Sequence, residues 1–352
     1  MKRILIDIYK IKDLYSGLGQ FSLNFANHIG LQKESEFQID FLIPDEVSQK
    51  KVYNAPSIRF KKANFQKRYL PFLNNQYDIW HSLHQFPSHK PAKHGTWILT
   101  IHDLNFLHEK SSRKSSAYLR KLQKNVDKAD CITTISNYTK VLIEEKIDLK
   151  GKKVRVIYNG ITSNDEVAPK KPAYMNDAGF FFSIGIFNRK KNFHTLIPLM
   201  QHFIDKKLVI AGNNDTAYGH EIYNQIKQFG LEDRILLPGK VSEAEKYWLY
   251  NNCDAFLFPS LAEGFGMPVI EAMKAGRPVF LSPYTSLPEI GGEAAFYFEN
   301  FKEPDMALII RKGLSEFQDK PGYYKELLEK NSQKYTWEGC VRQYSELYKE
   351  YL

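Results

Sequence analysis

Short apolar runs alternate with amphipathic stretches along almost the whole chain. Lys2–Ile8, Gln38–Ile43, Asp78–His81, Trp97–Ile101, Cys131–Thr134 and Val154–Ile157 read as buried strands, each too short for a helix and bounded by polar or turn residues. Between them Phe21, Phe25, Ala26 and Ile29 recur at helical spacing after the turn Gly17-Leu18-Gly19-Gln20, and helices are also predicted over Ser115–Val126 and Asn137–Lys146. The stretch Ala168–Tyr174 is polar, carries Pro169 and Pro172 and has no period, which marks a linker. The alternation then restarts, with strands predicted at Phe180–Ile184, Lys207–Ile210, Ile235–Leu237, Ala255–Phe258, Val279–Leu281 and Ala295–Phe298. Helices are predicted at Asn192–Phe203, Glu221–Phe229, Glu243–Asn251, Pro268–Ala275 and Pro304–Phe317. Strands alternating with helices imply α/β architecture, with parallel sheets covered on both faces. Two such halves predict two Rossmann-like, doubly wound domains facing a cleft, with ligands beyond the carboxyl ends of the strands.

Composition supports this and excludes several classes. A chain of 352 residues with 43% hydrophobic and 25% charged residues is ordinary globular material, long enough for two cores. No apolar run approaches the ~18 residues of a membrane span, and Asp7 interrupts the first apolar run before it could act as a signal peptide. Cys131, Cys253 and Cys340 lie far apart without metal-site spacing, so a reduced, cytoplasmic protein is expected. The net charge of +9 is uneven: residues 1–170 hold 28 Lys and Arg against 17 Asp and Glu, and the remainder 21 against 23. The densest stretch, from Lys110 through Arg113, Lys114, Arg120, Lys121, Lys124 and Lys128, reads as a helix with one apolar side. Such a face suits an anionic surface, and equally a plain solvated helix.

The chemistry concentrates in the second half. A strand ending at Phe258 leads into Ser260-Leu-Ala-Glu263-Gly264-Phe265-Gly266-Met267-Pro268, with Glu271 one turn into the following helix. Proline belongs in a first helical turn, and backbone amides from Gly264 to Met267 at a helix N-terminus suit a phosphate. Glu271 can accept two hydrogen bonds from a vicinal diol such as ribose, and Glu263 faces whatever lies past the phosphates. Arg189-Lys190-Lys191, between a strand and a helix, gives adjacent cations for a diphosphate. No Asp-x-Asp pair occurs, so no bridging metal and no cofactor is expected, and leaving-group charge falls to cations and a helix end.

The Glu263–Glu271 spacing resembles the E-x7-E signature of retaining glycosyltransferases of the GT-B fold, in particular glycosyltransferase family 4. Other segments agree in order: Ser16–Phe21 with its glycine loop, Thr100-Ile101-His102-Asp103-Leu104, Ala129–Ser136, Val154–Gly160, and Ser286-Leu287-Pro288-Glu289-Ile290-Gly291-Gly292. Trp337 and the last helix resemble a closing helix that returns to the N-terminal domain. The resemblance implies an acceptor-side domain at 1–168 joined by 336–352, a linker at 169–178 and a donor domain at 179–335. It implies that Glu271 binds donor ribose, that Glu263 meets the sugar hydroxyls near the Phe265, Gly266 and Met267 amides, and that Lys191 with Arg189 or Lys190 holds the diphosphate. His102 would lie near the transferring sugar, with Gly17 and Gly19 lining the cleft; His81, His84 and Asp103 are acceptor-side candidates. The family often has Arg after the glycine at 185, where Ile186 stands, and Arg in place of Gln20. Implied partners are a nucleotide-sugar donor, a glycan or lipid-linked acceptor and, through the basic half, an anionic membrane face, but no nucleic acid.

Other signals weigh less. Gly17-Leu-Gly-Gln-Phe-Ser22 is not a full dinucleotide fingerprint. His81, His84 and His89 lack helical metal spacing and read as loop or acceptor-cleft residues. Tyr323, Tyr324, Tyr344, Tyr348 and Tyr351 read as helix packing. Two competing functions remain: a nucleotide-sugar epimerase of the same architecture, against which the paired glutamates speak, and a non-catalytic basic protein binding nucleic acid or a membrane, whose mark would be steeply salt-dependent binding without donor turnover.

Overall fold

The computed structural model describes residues 2–14, 16–31, 37–53, 58–64, 66, 76–92, 95–161, 167–176 and 179–352. Residues 177–178 of the expected linker lie outside them. Residues 1–162 with 335–352 form one compact unit, and residues 163–334 a second. The segment expected as a linker is held to the second unit, where Lys170 N donates to Ala244 O at 3.0 Å and the Lys171 ammonium lies over Trp248.

The first unit is a seven-stranded parallel sheet of β1 (Lys2–Asp7), β2 (Phe37–Ile43), β3 (Ile58–Lys62), β4 (Ile79–Ser82), β5 (Thr96–Ile101), β6 (Cys131–Thr134) and β7 (Val154–Val156). Its order is β3-β2-β1-β4-β5-β6-β7, so the winding reverses between β1 and β4. Strand periodicity sorts the core: Ile4 and Ile6 enter the cluster with Phe21, Phe25, Tyr344 and Tyr348, while Leu5 joins Trp80, Trp97, Leu99, Leu122 and Val126 on the other face. The edge strand β3 escapes the sequence reading because only Ile58 is buried and charged residues surround Phe60.

The second unit repeats the plan with β8 (Phe180–Ile184), β9 (Lys207–Ala211), β10 (Ile235–Gly239), β11 (Ala255–Phe258), β12 (Val279–Leu281) and β13 (Ala295–Tyr297), in the order β10-β9-β8-β11-β12-β13, all parallel. Here the reversal falls between β8 and β11. The helix expected at 192–203 is instead broken into short turns around a four-residue helix, Leu196–Leu199. Asn192 is left-handed at φ 58°, and Pro198 has no amide hydrogen for a helical bond. The helix Pro321–Ser332 was not anticipated.

The last helix, Trp337–Glu350, packs on the first unit's sheet. Gly160 makes room for it, since a Cβ there would stand 2.3 Å from Trp337 N. Polar groups fasten it: Tyr348 Oη meets His81 Nδ1 at 2.6 Å, His81 Nε2 meets Thr100 Oγ1 at 2.8 Å, and Tyr344 Oη lies 3.2 Å from both Thr100 and Thr133. Tyr324 is buried in the second unit, whereas Tyr323 and Tyr351 are exposed.

Burial, with His102 nearby, pushes His81 down to about 3, and His84 and His102 fall to about 3 and 4, again chiefly through burial. All three lie below the ordinary unfolded value near 6.5, so the neutral rings stabilise the fold fully above that pH, and the contribution shrinks as pH falls through the window toward 3. Asp7, raised by burial to about 6, acts in the opposite sense between its unfolded value and 6, but it is outnumbered. The first unit, which holds three of the four tryptophans (Trp80, Trp97 and Trp337), should therefore lose stability on acidification from pH 6.5 to 4. Urea unfolding followed by tryptophan fluorescence should show this, and Tyr348→Phe should cost about 1–3 kcal/mol at pH 7 by leaving a buried ring nitrogen unpaired.

Candidate active site

β8 and β11 are neighbours at the winding reversal of the second unit, and the chain leaving each carries one half of an ion pair. After β8, Arg189–Lys191 forms a 3-10 turn that turns Lys191 back over Gly185. A Cβ on Gly185 would stand 2.9 Å from Lys191 Cε, so glycine keeps that path open. After β11, Glu263 meets the lysine: Nζ to Oε1 is 2.6 Å, with both side chains nearly enclosed at 11% and 13% exposure. The Phe258 ring lies 4.6 Å below the ammonium.

Hydroxyls from the ends of β11 and β12 complete the setting. Ser260 Oγ donates to the same carboxylate oxygen at 2.6 Å, and Ser282 donates to Ser260 O. Thr285 Oγ1 accepts from Glu263 N at 3.0 Å, while Ser286 Oγ donates to Glu263 O at 3.1 Å and Phe265 O at 2.8 Å. Thr285 adopts φ 60°, a costly backbone for a β-branched residue that places its hydroxyl under the Glu263 amide. Both side-chain bonds to Glu263 go to Oε1; Oε2 has no hydrogen-bond partner among the described residues. Burial alone would raise the Glu263 carboxyl, but Lys191, then Lys190 and these bonds outweigh it and hold the group below its ordinary value.

The loop continues through buried Gly264, Phe265 and Gly266 to half-buried Met267. Gly266 precedes the helix Met267–Lys274 at φ 117°, Pro268 sits in its first turn, and no side chain caps it. That is the helix N-terminus expected for an anion. Glu271 does not stand open as a bare diol acceptor. Its Oε1 accepts from Lys246 Nζ at 3.1 Å and its Oε2 from Tyr250 Oη at 2.9 Å, both on the helix Glu243–Asn252. Arg189, expected beside Lys191, instead pairs with Glu221 at 2.6 Å in an exposed position. The Lys190 carbonyl accepts from Leu261 N at 2.7 Å and Ser260 Oγ at 3.2 Å, tying the two loops together.

In the first unit, Gly19 is buried, and a Cβ there would stand 1.9 Å from Asp13 O; its amide is bonded by Ser16 Oγ at 3.1 Å, while Gly17 is exposed. His102 Nε2 donates to Leu83 O at 2.7 Å, which leaves Nδ1 as the acceptor nitrogen of a neutral ring lying edge-on to Phe21. His84 is buried and its Nδ1 accepts from Phe86 N at 3.2 Å. Asp103 Oδ1 accepts from Asn105 N at 2.9 Å and shapes a turn. The expectation for His81 needs correction: it is wholly enclosed, with both nitrogens taken by Tyr348 and Thr100, so it is a core fastening and meets no acceptor.

Sequence reading missed Lys246, Tyr250 and the hydroxyl set of Ser260, Ser282, Thr285 and Ser286; the only signal was the crowding of hydroxyls at strand ends. It also passed over Asp7, buried at the end of β1, whose Oδ1 accepts from Tyr9 N at 3.0 Å while Oδ2 has no partner among the described residues. Among the described residues, no group of three His, Cys, Asp or Glu side chains is placed to hold a metal ion.

Two family models cover this chain in succession: Glycosyltransferase Family 4 over residues 33–164, and Glycosyl transferases group 1 over residues 164–325. The chain belongs to the family 4 glycosyltransferases of the GT-B fold. This glycosyltransferase is similar to O-antigen chain mannosyltransferase B of Escherichia coli, 24% identical over 392 residues covering 99% of both chains. It is also similar to O-antigen chain mannosyltransferase RfbU of Salmonella typhimurium, 28% identical over 200 residues, and there the match spans 56% of this chain and only about half (55%) of the relative. In fold it resembles Anabaena HepE, solved in complex with UDP-glucose, with a TM-score of 0.75 at 16% identity over 99% of this chain and 100% of that one.

Removing one partner of the enclosed pair strands the other. Lys191→Met should lower stability by about 3 kcal/mol, and the double variant Lys191→Met/Glu263→Gln should recover much of that. Thermal unfolding of the three proteins at pH 7 measures the coupling.

Proposed function

We propose that this glycosyltransferase is a retaining enzyme that moves a hexose from a nucleotide-diphosphate sugar to a glycan or lipid-linked saccharide in bacterial-type polysaccharide biosynthesis. GDP-mannose or a UDP-hexose is the donor, and the names of the two mannosyltransferase relatives favour mannose. The observation that carries the reading is the Lys191–Glu263 contact beside an uncapped helix N-terminus at the winding reversal. A diphosphate arriving there replaces Glu263 as the partner of Lys191 and meets the amides of the Gly264–Met267 loop. Glu263, ionised and held by Ser260, then turns to the hydroxyls of the donor sugar, and Glu271 takes the ribose.

In this reading the departing phosphate oxygen accepts the acceptor's proton on the same face of a sugar with oxocarbenium-ion character. Protein groups position the partners and stabilise the leaving charge. Glu263 acts by binding and orienting, Lys191 by neutralising the diphosphate without a metal, and neutral His102 offers Nδ1 to a sugar hydroxyl. The reading places the enzyme in the cytoplasm at an anionic membrane face. Its support is the helix Ser112–Val126, where Leu122 and Val126 are buried and Arg113, Lys114, Arg120, Lys121 and Lys124 are exposed. No helix among the described residues is long and apolar enough to cross a membrane.

The test is transfer from GDP-mannose, UDP-glucose, UDP-galactose and UDP-GlcNAc in EDTA, with the product anomer read by proton NMR. An α-linked product from an α-donor at full rate in EDTA is expected; inversion, or activity only with added metal, would overturn the retaining or the metal-free part. Lys191→Ala and Glu271→Ala should raise the donor KM about tenfold or more, while Glu263→Ala should chiefly lower kcat by about 100-fold.

A further inference from the structure

Lys246 stands where helix energetics disfavour it. The helix Glu243–Asn252 opens with a full capping box, Ser242 with Glu245, so Lys246 lies only one turn inside a helix N-terminus. A cation there opposes the helix dipole, and this one is also largely enclosed, its side chain 15% exposed. Two carboxylates hold it: Glu243 at 2.8 Å from its own helix, and Glu271 at 3.1 Å from the next. Tyr250, one turn further along the same face and wholly buried, donates to the other oxygen of Glu271 at 2.9 Å. A carboxylate held at each oxygen by one donor cannot rotate about its terminal bond, yet keeps a second lone pair on each oxygen.

We infer that Lys246, with Tyr250, is a positioning residue for the donor nucleotide: it fixes the Glu271 carboxylate so that the two remaining lone pairs receive the 2′- and 3′-hydroxyls of ribose. The inference rests on Glu271 as the ribose ligand. Its consequence is selectivity for ribonucleotides over 2′-deoxyribonucleotides, achieved by preorganisation, because Lys246 itself need not touch the nucleotide. Tyr250 sets the plane of the carboxylate, and Lys246 supplies the charge that holds it in place when donor binding displaces water.

Calorimetry tests this with whichever of GDP, UDP and ADP binds the 352-residue chain, against its 2′-deoxy counterpart. The wild type should prefer the ribonucleotide about tenfold. Lys246→Met should weaken the ribonucleotide about tenfold and the deoxynucleotide, which keeps only its 3′-hydroxyl on Glu271, by clearly less, so the ratio falls severalfold; Lys246→Arg should restore most of it, and Tyr250→Phe should lower it less. Should Lys246→Met not fold, by its thermal melt, Lys246→Gln and Tyr250→Phe read the same ratio. If Glu271→Gln abolishes the preference while the Lys246 and Tyr250 variants keep it, the positioning role is wrong and the ribose reading stands. If Glu271→Gln itself keeps the preference, or the wild type has none, the ribose reading falls and the inference with it.

Discussion

The geometry of the second unit's site depends on an enclosed lysine meeting an enclosed glutamate. A pair at 2.6 Å with little exposure gains strong attraction, yet each partner has given up most of its water, and either alone would be expensive to hold. The two loops are therefore drawn together at the ends of β8 and β11. That constraint shapes the neighbouring residues one by one: glycine at 185 because the lysine stem crosses it, a left-handed Thr285 because the Glu263 amide needs an acceptor, and serines at 260 and 286 holding carboxylate and carbonyl. Lys191 and Ser260 both bond one Glu263 carboxylate oxygen, while the other has no hydrogen-bond partner among the described residues.

The first unit uses buried polarity differently. His81, Thr100, Thr133, Tyr344 and Tyr348 form a closed network that satisfies its members and joins a distant helix to the central strands. Such a network specifies how the helix seats, because a shifted helix would leave tyrosine hydroxyls and an imidazole unpaired in the core. His102 and Asp7 contrast with it. Each has one polar atom tied to backbone and another without a side-chain partner among the described residues, and both lie at carboxyl ends of strands, where doubly wound sheets bind ligands.

Fold class was legible because parallel strands buried on both faces leave unmistakable apolar runs; β3 was not, since an edge strand with alternating charge lacks that signature. The broken 192–203 segment read as a helix because its apolar spacing fits one, while the left-handed Asn192 that interrupts it has no hydrophobic mark. Within the site, Glu263, Lys191 and Glu271 could be singled out because charged residues beside glycine loops are conspicuous. Their supports could not. Lys246 and Tyr250 lie on a helix whose sequence gives no sign of which residue its neighbour presents, and a histidine near the end of a strand looks the same whether it enters the core, as His81 does, or keeps an acceptor nitrogen, as His102 does.

The charge asymmetry bears on how such a site is reached. The cations of the first half that the structure describes are largely exposed, and the ammonium groups of some lie over aromatic rings, Lys121 over Phe86 and Lys110 over Tyr118. Exposed cations contribute little to stability, and their field is screened within about 8–10 Å at physiological ionic strength. Their effect is to raise the local concentration of anionic partners without selecting among them. The second half carries a slight net negative charge, so the diphosphate binding proposed above would have to come from a few oriented groups instead of a general field. Under the proposed reading, donor selection rests on short-range geometry, a lysine released from its glutamate and a carboxylate held at both oxygens, while long-range charge only concentrates anionic partners.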